Sequence, residues 1–248
     1  MPSTRQHDAR PSASPPNESG RAAEQNLNET AYARIKDDII SCALQPGEEV
    51  SEGVLVARYG MSKAPIRSAM TRLRQEGLIQ SRGRQGNVVS PVTLRDIQEI
   101  FQLRLVLDVT AVRLAAGKVD AKRLRALNEA AHASYPPGDA AGQAAYLRAN
   151  RAFHCYVAEC TGNQRLVTLV VALMEQHERI VHLGLALQRR EHEFHHFHDD
   201  LVTALIEGDG ERAAKLTEAA LRGGQQKVME ALADSTAQIS LGPVDLTP

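Results

Sequence analysis

The chain has 248 residues, 43% of them hydrophobic but only 4% aromatic with no tryptophan, and a formal net charge of −1. That length allows one large core or two smaller ones, and an aliphatic composition dominated by Leu and Ala favours helices over a β-sandwich. No apolar run reaches the roughly 18 residues a spanning helix needs, the first residues lack the apolar segment of a secretory signal, and three cysteines (Cys42, Cys155, Cys160) suit a reducing compartment. The expectation is a cytoplasmic protein with no membrane contact. Residues 1–27, rich in Pro, Ser, Asn and Gly, read as a disordered tail. From Asn28, Ala31, Ile35, Ile39 and Ile40 repeat at helical spacing until Gln45-Pro46-Gly47 turns the chain. Ser51 caps a short helix through Tyr59, and Gly60 closes it.

Ser62 then opens a helix in which Ile66, Ala69, Met70 and Leu73 share one stripe, with Lys63, Arg67, Thr71 and Arg74 beside it. Pro65 falls in the first turn, where a missing N–H costs little, and Gly77 is a stop signal. Leu78–Arg82 and Asn87–Val89 read as short strands flanking the turn Gly83-Arg84-Gln85-Gly86. Three helices, the last two joined by a tight Gly-containing turn, followed by a hairpin, predict a winged helix-turn-helix over residues 28–90. Between Arg58 and Gly86 there are seven basic residues and one acid, so this segment carries +6 and the rest of the chain −7. A cationic helix suits the major groove of double-stranded DNA, and arginines on a hairpin (Arg82, Arg84) suit its phosphates.

Ser90-Pro91-Val92 is a linker, and Thr93-Leu94-Arg95-Asp96 matches a capping box. Beyond it only helical patterns occur, near 94–116, 120–133, 142–161, 164–186, 190–207 and 210–233, which predicts an all-α six-helix bundle over 93–235 and a flexible tail over 236–248. The fold class is mainly α. Polar residues interrupt the inward stripes of the bundle: Arg104 and Asp108 on its first helix, Asn150 and His154 on the third, His177 on the fourth, His198 on the fifth. Each could be satisfied locally, since Arg104 and Asp108 are one turn apart. Their presence on four helices of one bundle points instead to a polar pocket suited to an anionic small molecule. One enzyme-like signal occurs, His192-Glu193-Phe194-His195-His196, which satisfies the zinc peptidase pattern H-E-x-x-H. It is a five-residue match in a His-rich segment without an evident third ligand or substrate cleft, and no enzyme is expected.

Leu44-Gln45-Pro46-Gly47, Met61-Ser62-Lys63-Ala64-Pro65-Ile66-Arg67-Ser68-Ala69 and Leu73-Arg74-Gln75-Glu76-Gly77-Leu78-Ile79 together resemble the GntR-family winged helix. Arg104-Leu105-Val106-Leu107-Asp108, Phe153-His154, Gly162-Asn163, and His198 followed by Leu201 and Gly208-Asp209 resemble the FCD ligand-binding domain of the FadR subfamily. The resemblance implies a homodimeric transcription factor, in that family most often a repressor, which binds a short palindrome and responds to a small carboxylate effector. It implies DNA-reading roles for Ser62, Lys63, Ala64 and Arg67, backbone support from Arg58, and a wing at Gly86 entering the minor groove. Thr71, Arg74, Arg82, Arg84 and Gln85 complete the expected DNA contacts. Lys63 and Ala64 depart from the family's S-R-T-P pattern, which implies an individual operator. Many FCD domains also hold a divalent metal (Zn or Ni) through Asp-x3-His and two further histidines. Here those positions are Asn150, His154, His198 and Ala220, so any metal at Asn150, His154 and His198 is expected to be weakly bound unless His195 or His177 substitutes.

Overall fold

The computed structural model describes residues 18–83, 86–132, 135–136, 139–187 and 198–236. The first helix, α1 (Glu18–Ile40), starts ten residues before the helix expected from Asn28, so the proposed tail of 1–27 is helical from Glu18 onward. The sequence of residues 18–27 (Glu-Ser-Gly-Arg-Ala-Ala-Glu-Gln-Asn-Leu) has no apolar repeat to reveal a helix, and good helix formers among them extend one nucleated downstream. From Ala31 on, α1 buries Tyr32, Ile35, Ile39 and Ile40.

A strand of two residues, β1 (Glu49–Val50), precedes α2 (Glu52–Tyr59) and α3 (Lys63–Gln75); β2 (Ile79–Ser81) and β3 (Asn87–Val89) follow. The sheet is antiparallel with order β1-β3-β2, and Val50 pairs with Asn87 while Ile79 pairs with Val89. A two-residue strand carries no readable alternation, which is why β1 escapes sequence inspection. The Ser51 hydroxyl accepts from the Val54 N–H at 3.2 Å to start α2. Gly60, at φ 65°, ends it in the left-handed conformation and sets the tight turn into α3. Ile66, Ala69, Met70 and Leu73 of α3 then pack on α1 to form the core of the small domain, together with Leu44, Leu55 and Ile79.

The second domain contains α4 (Leu94–Ala115), α5 (Ala121–Ala130), α6 (Ala140–Cys160), α7 (Gln164–Leu187), α8 (Asp199–Glu207) and α9 (Gly210–Thr236). The capping box that starts α4 is complete: the Asp96 N–H donates to Thr93 Oγ1 at 3.0 Å, and the Thr93 N–H donates to Asp96 Oδ2 at 2.7 Å. Helix α4 is the axis of the bundle and touches α6, α7 and α9. Its inward residues seed three apolar clusters, around Phe101, around Val112 and around Ala111. His198 stands at the N-cap of α8 rather than inside a helix beginning near 190; residues 188–197 lie outside the described residues. No described helix is long and apolar enough to cross a membrane.

The domains meet along α7. Lys36 of α1 pairs with Glu175 at 2.7 Å, Arg179 donates to the Ser90 carbonyl of the linker, and Cys42 Sγ lies 3.8 Å from the Arg179 carbonyl. Lys36 is held further by Glu76 at 3.0 Å and by the Tyr32 hydroxyl at 2.8 Å.

Candidate nucleic-acid interface and bundle cavity

Because the apolar stripe of α3 is spent on α1, its other face is left to solvent. Lys63, Ala64, Arg67, Ser68, Thr71 and Arg74 are all exposed there. Ser62 has extended backbone at the N-cap position, but its hydroxyl makes no capping hydrogen bond and is exposed. The Arg67 guanidinium is gripped side-on by Glu52 of α2, with Nε–H donating to Oε1 at 2.7 Å and Nη2–H to Oε2 at 2.9 Å. Arg74 donates to Thr71 Oγ1 at 3.1 Å and to Asn87 Oδ1 of β3 at 3.3 Å, which ties the recognition helix to the wing. At the wing, Arg82 is exposed and Gly86 adopts φ 78°; Arg84 and Gln85 lie outside the described residues.

Two other arginines of the basic segment are committed to the fold. Arg58 donates to Asp38 Oδ2 and to the Ala43 carbonyl, both at 3.2 Å. Arg72 stacks its guanidinium 3.4 Å from the centre of the Tyr32 ring and pairs with Glu29 and Glu76. Neither Glu52 nor Asn87 announces its role in the sequence, since each reaches its arginine across 15 or 13 residues of chain through the tertiary fold.

In the bundle, one small cavity is lined by Phe101 and Arg104 of α4, Asn150 and His154 of α6, His177 of α7, His198, Leu201 of α8, and Thr217, Ala220 and Leu221 of α9. Five of the six polar residues singled out in the sequence therefore share one wall. The sixth, Asp108, stands behind Arg104 and accepts from its Nε–H at 2.9 Å and from Nη2 at 2.8 Å through a single oxygen, Oδ2. Both side chains are about 3% exposed, and Oδ1 has no hydrogen-bond partner. Burial pushes the Asp108 carboxyl up from its ordinary value, against the pull of the Arg104 charge. The rings pack closely: His154 meets His198 nearly perpendicular with centroids 5.2 Å apart, Phe153 stacks on His198 at 4.4 Å, and His177 sets its ring against Phe101 at 5.3 Å. Asn150 Oδ1 and Thr217 Oγ1 are buried without a hydrogen-bond partner. Thr217 was missed in the sequence because a single threonine on an otherwise ordinary helix carries no signal.

The space open to the centre of a water molecule in this cavity is only about 30 Å³. That suits a water or two and is far below the several hundred Å³ of a typical organic-ligand pocket. Among the described residues, no three His, Cys, Asp or Glu side chains converge as metal ligands. His154, His177 and His198 line the cavity with Asn150, whose neutral amide is a poor zinc ligand; His195 lies outside the described residues. The segment His192-Glu193-Phe194-His195-His196 lies outside the described residues.

A three-helix domain with a cationic recognition helix, a wing and an attached helical bundle defines a winged-helix DNA-binding protein. Residues 27–89 match the family described as bacterial regulatory proteins, gntR family, and residues 99–223 match the FCD domain. The chain therefore belongs to the GntR family of DNA-binding transcriptional regulators and carries an FCD domain. It is 29% identical over 143 residues to the uncharacterized HTH-type transcriptional regulator YdhC of Bacillus subtilis, covering 56% of this chain and 62% of that one. It is 27% identical over 108 residues to the HTH-type transcriptional repressor RspR of Escherichia coli, covering 44% and 47% respectively. The matched regions thus span about half to three fifths of these relatives. Two solved structures share the fold: a GntR regulator from Rhodococcus sp. RHA1 (TM-score 0.69, 20% identity, 83% of this chain and 99% of that one) and E. coli McbR/YncC (TM-score 0.70, 23% identity, 84% and 98%).

Proposed function

We propose that this regulator binds a palindromic operator as a homodimer, acts in the cytoplasm as a repressor, and is modulated by a small organic acid anchored by Arg104 in the bundle cavity. The observation that carries the reading is the placement of one turn of α7. His177 lines the cavity, while Glu175 and Arg179, two residues to either side, hold Lys36 of the winged domain and Ser90 of the linker. A cavity of about 30 Å³ cannot admit a carboxylate metabolite without displacing its walls. Entry of the acid moves His177, and with it the turn that grips the DNA-binding domain. Arg104 supplies the planar fork that recognises a carboxylate, and Asp108 fixes the guanidinium from behind through Nε and Nη2.

The dimer is assigned to the outer face of α4, where Leu103, Val106, Thr110 and Leu114 form an exposed stripe. Val106 is 63% exposed, which is unusual for an aliphatic residue at the centre of a helix whose neighbours are apolar. Two histidines and an amide make a weak metal site, so the effector response proceeds without a tightly held ion. No catalytic role is assigned to His192, Glu193 and His196. The repressive sense is the one named for the E. coli relative.

The test begins with selection of binding sequences from random duplex DNA, followed by gel shift. Wild-type protein enriches a two-fold symmetric site, and Arg67→Ala reduces affinity for it by about 10-fold or more per half-site while circular dichroism is unchanged. Equal affinity of Arg67→Ala for the enriched site would remove α3 as the reading element.

A further inference from the structure

Glu52 stands inside the basic face of the winged domain, with the charges of Arg67, Lys63 and Arg74 all acting on it. An acid here opposes phosphate binding, so its presence calls for an explanation other than affinity. An exposed ion pair of this kind adds little to stability, so the consequence must lie in what the pair does to Arg67.

We propose that Glu52 is a positioning and specificity-determining residue that makes Arg67 read base edges rather than phosphates. The inference rests on α3 being the DNA-reading helix. Its geometric basis is which edge of the guanidinium the carboxylate occupies. Glu52 takes Nε–H and one Nη2–H, the side-on fork. What remains is the end-on fork of Nη1 and the second Nη2 hydrogen, which matches the O6 and N7 acceptors of guanine in the major groove. The carboxylate is itself fixed, because Glu52 is the first residue of α2 and Ser51 caps that helix. Negative charge at a helix N-terminus is favoured, and the hydrogen bond from Arg67 holds the Glu52 carboxyl below its ordinary range, so it stays ionised. This fixed negative charge repels a phosphate approaching Arg67, whereas a guanine edge carries no net charge to be repelled. Without it, Lys63, Arg67 and Arg74 form a cationic patch that binds any duplex.

The experiment uses the full chain and the sequence it enriches from random DNA. Affinity for that sequence and for a scrambled duplex is measured across a salt series for wild type, Glu52→Gln, Glu52→Ala and Glu52→Asp. Glu52→Gln and Glu52→Ala bind scrambled DNA about tenfold tighter, and their salt slope steepens by about 0.9 per protomer, one added phosphate contact. Their specificity ratio falls at least tenfold, while Glu52→Asp, which keeps the charge, retains most of it. A merely structural role would lower both affinities together and leave ratio and slope unchanged. An enriched sequence bound by Glu52→Gln with wild-type ratio and slope overturns this inference alone. Failure of the wild type to enrich any sequence overturns the DNA-reading assignment beneath it.

Discussion

Replacing Asp108 by Ala strips the Arg104 guanidinium of its buried counter-ion. Both side chains are about 3% exposed, and the two contacts at 2.9 and 2.8 Å converge on one carboxylate oxygen. Removing one partner of such a pair leaves an uncompensated charge and costs about 3–5 kcal/mol. At about 2–4 °C per kcal/mol for a domain of this size, the unfolding midpoint falls by roughly 6–20 °C. Removing both charges together, in Asp108→Ala/Arg104→Met, restores part of that loss, because no lone charge then remains. Formate or acetate also restores part of it in Asp108→Ala, by taking the place of the missing carboxylate, while chloride at equal ionic strength does not. Calorimetry or thermal circular dichroism reads each arm. A loss of less than about 1 kcal/mol in Asp108→Ala, or a double variant less stable than the single one together with no effect of formate, would refute a buried, charge-compensating pair.

His182 on α7 is buried, which lowers its imidazole to about 4 because the cation is disfavoured there and Arg148 repels it. A depressed histidine pKa means the unfolded chain binds the proton more readily, so stability is intact above pH 6.5 and falls between pH 6.5 and 4. The loss approaches about 1.4 kcal/mol per pH unit, and His182→Gln removes it in a denaturant series against pH. Val106→Glu together with Leu103→Glu, on the exposed stripe of α4, converts dimer to monomer in sedimentation equilibrium without lowering helicity; an unchanged mass would move the interface elsewhere. Asn150→Asp with Ala220→His adds two strong donors beside His154 and His198 and creates zinc binding that raises the melting temperature, whereas zinc shifts the wild type little.

Periodicity alone placed most of this molecule. The stripe Ile66, Ala69, Met70, Leu73 could pack on only one face, which forced Lys63, Arg67 and Thr71 outward. Arg104, Asn150, His154 and His177 could be grouped because each sits on the inward side of its helix, and inward sides of a bundle meet; His198 joins them from the N-cap of α8, not from the helix expected to hold it. What escaped was what periodicity does not encode. The start of α1 at Glu18 lies in a stretch without an apolar repeat, and β1 is two residues long. The grip of Glu52 on Arg67, the brace of Asn87 on Arg74 and the commitment of Arg58 to Asp38 are pairings across the tertiary fold. The cavity's small volume, with the His154 and His198 ring centroids 5.2 Å apart in its wall, is likewise set by tertiary packing that no single-chain pattern reveals.

An acid in the bundle that acts through Arg104 must alter DNA binding by the winged domain. The direct measurement is the affinity of the full chain for its enriched duplex, by fluorescence anisotropy, across a panel of small carboxylates with and without chelator. At least one acid changes the dissociation constant tenfold or more, chelator does not abolish the effect, and Arg104→Met/Asp108→Ala, which leaves no lone buried charge, binds DNA but no longer responds. Identical DNA affinity with every acid, or an unaltered response in the double variant, would rule out Arg104 as the anchor of such a ligand.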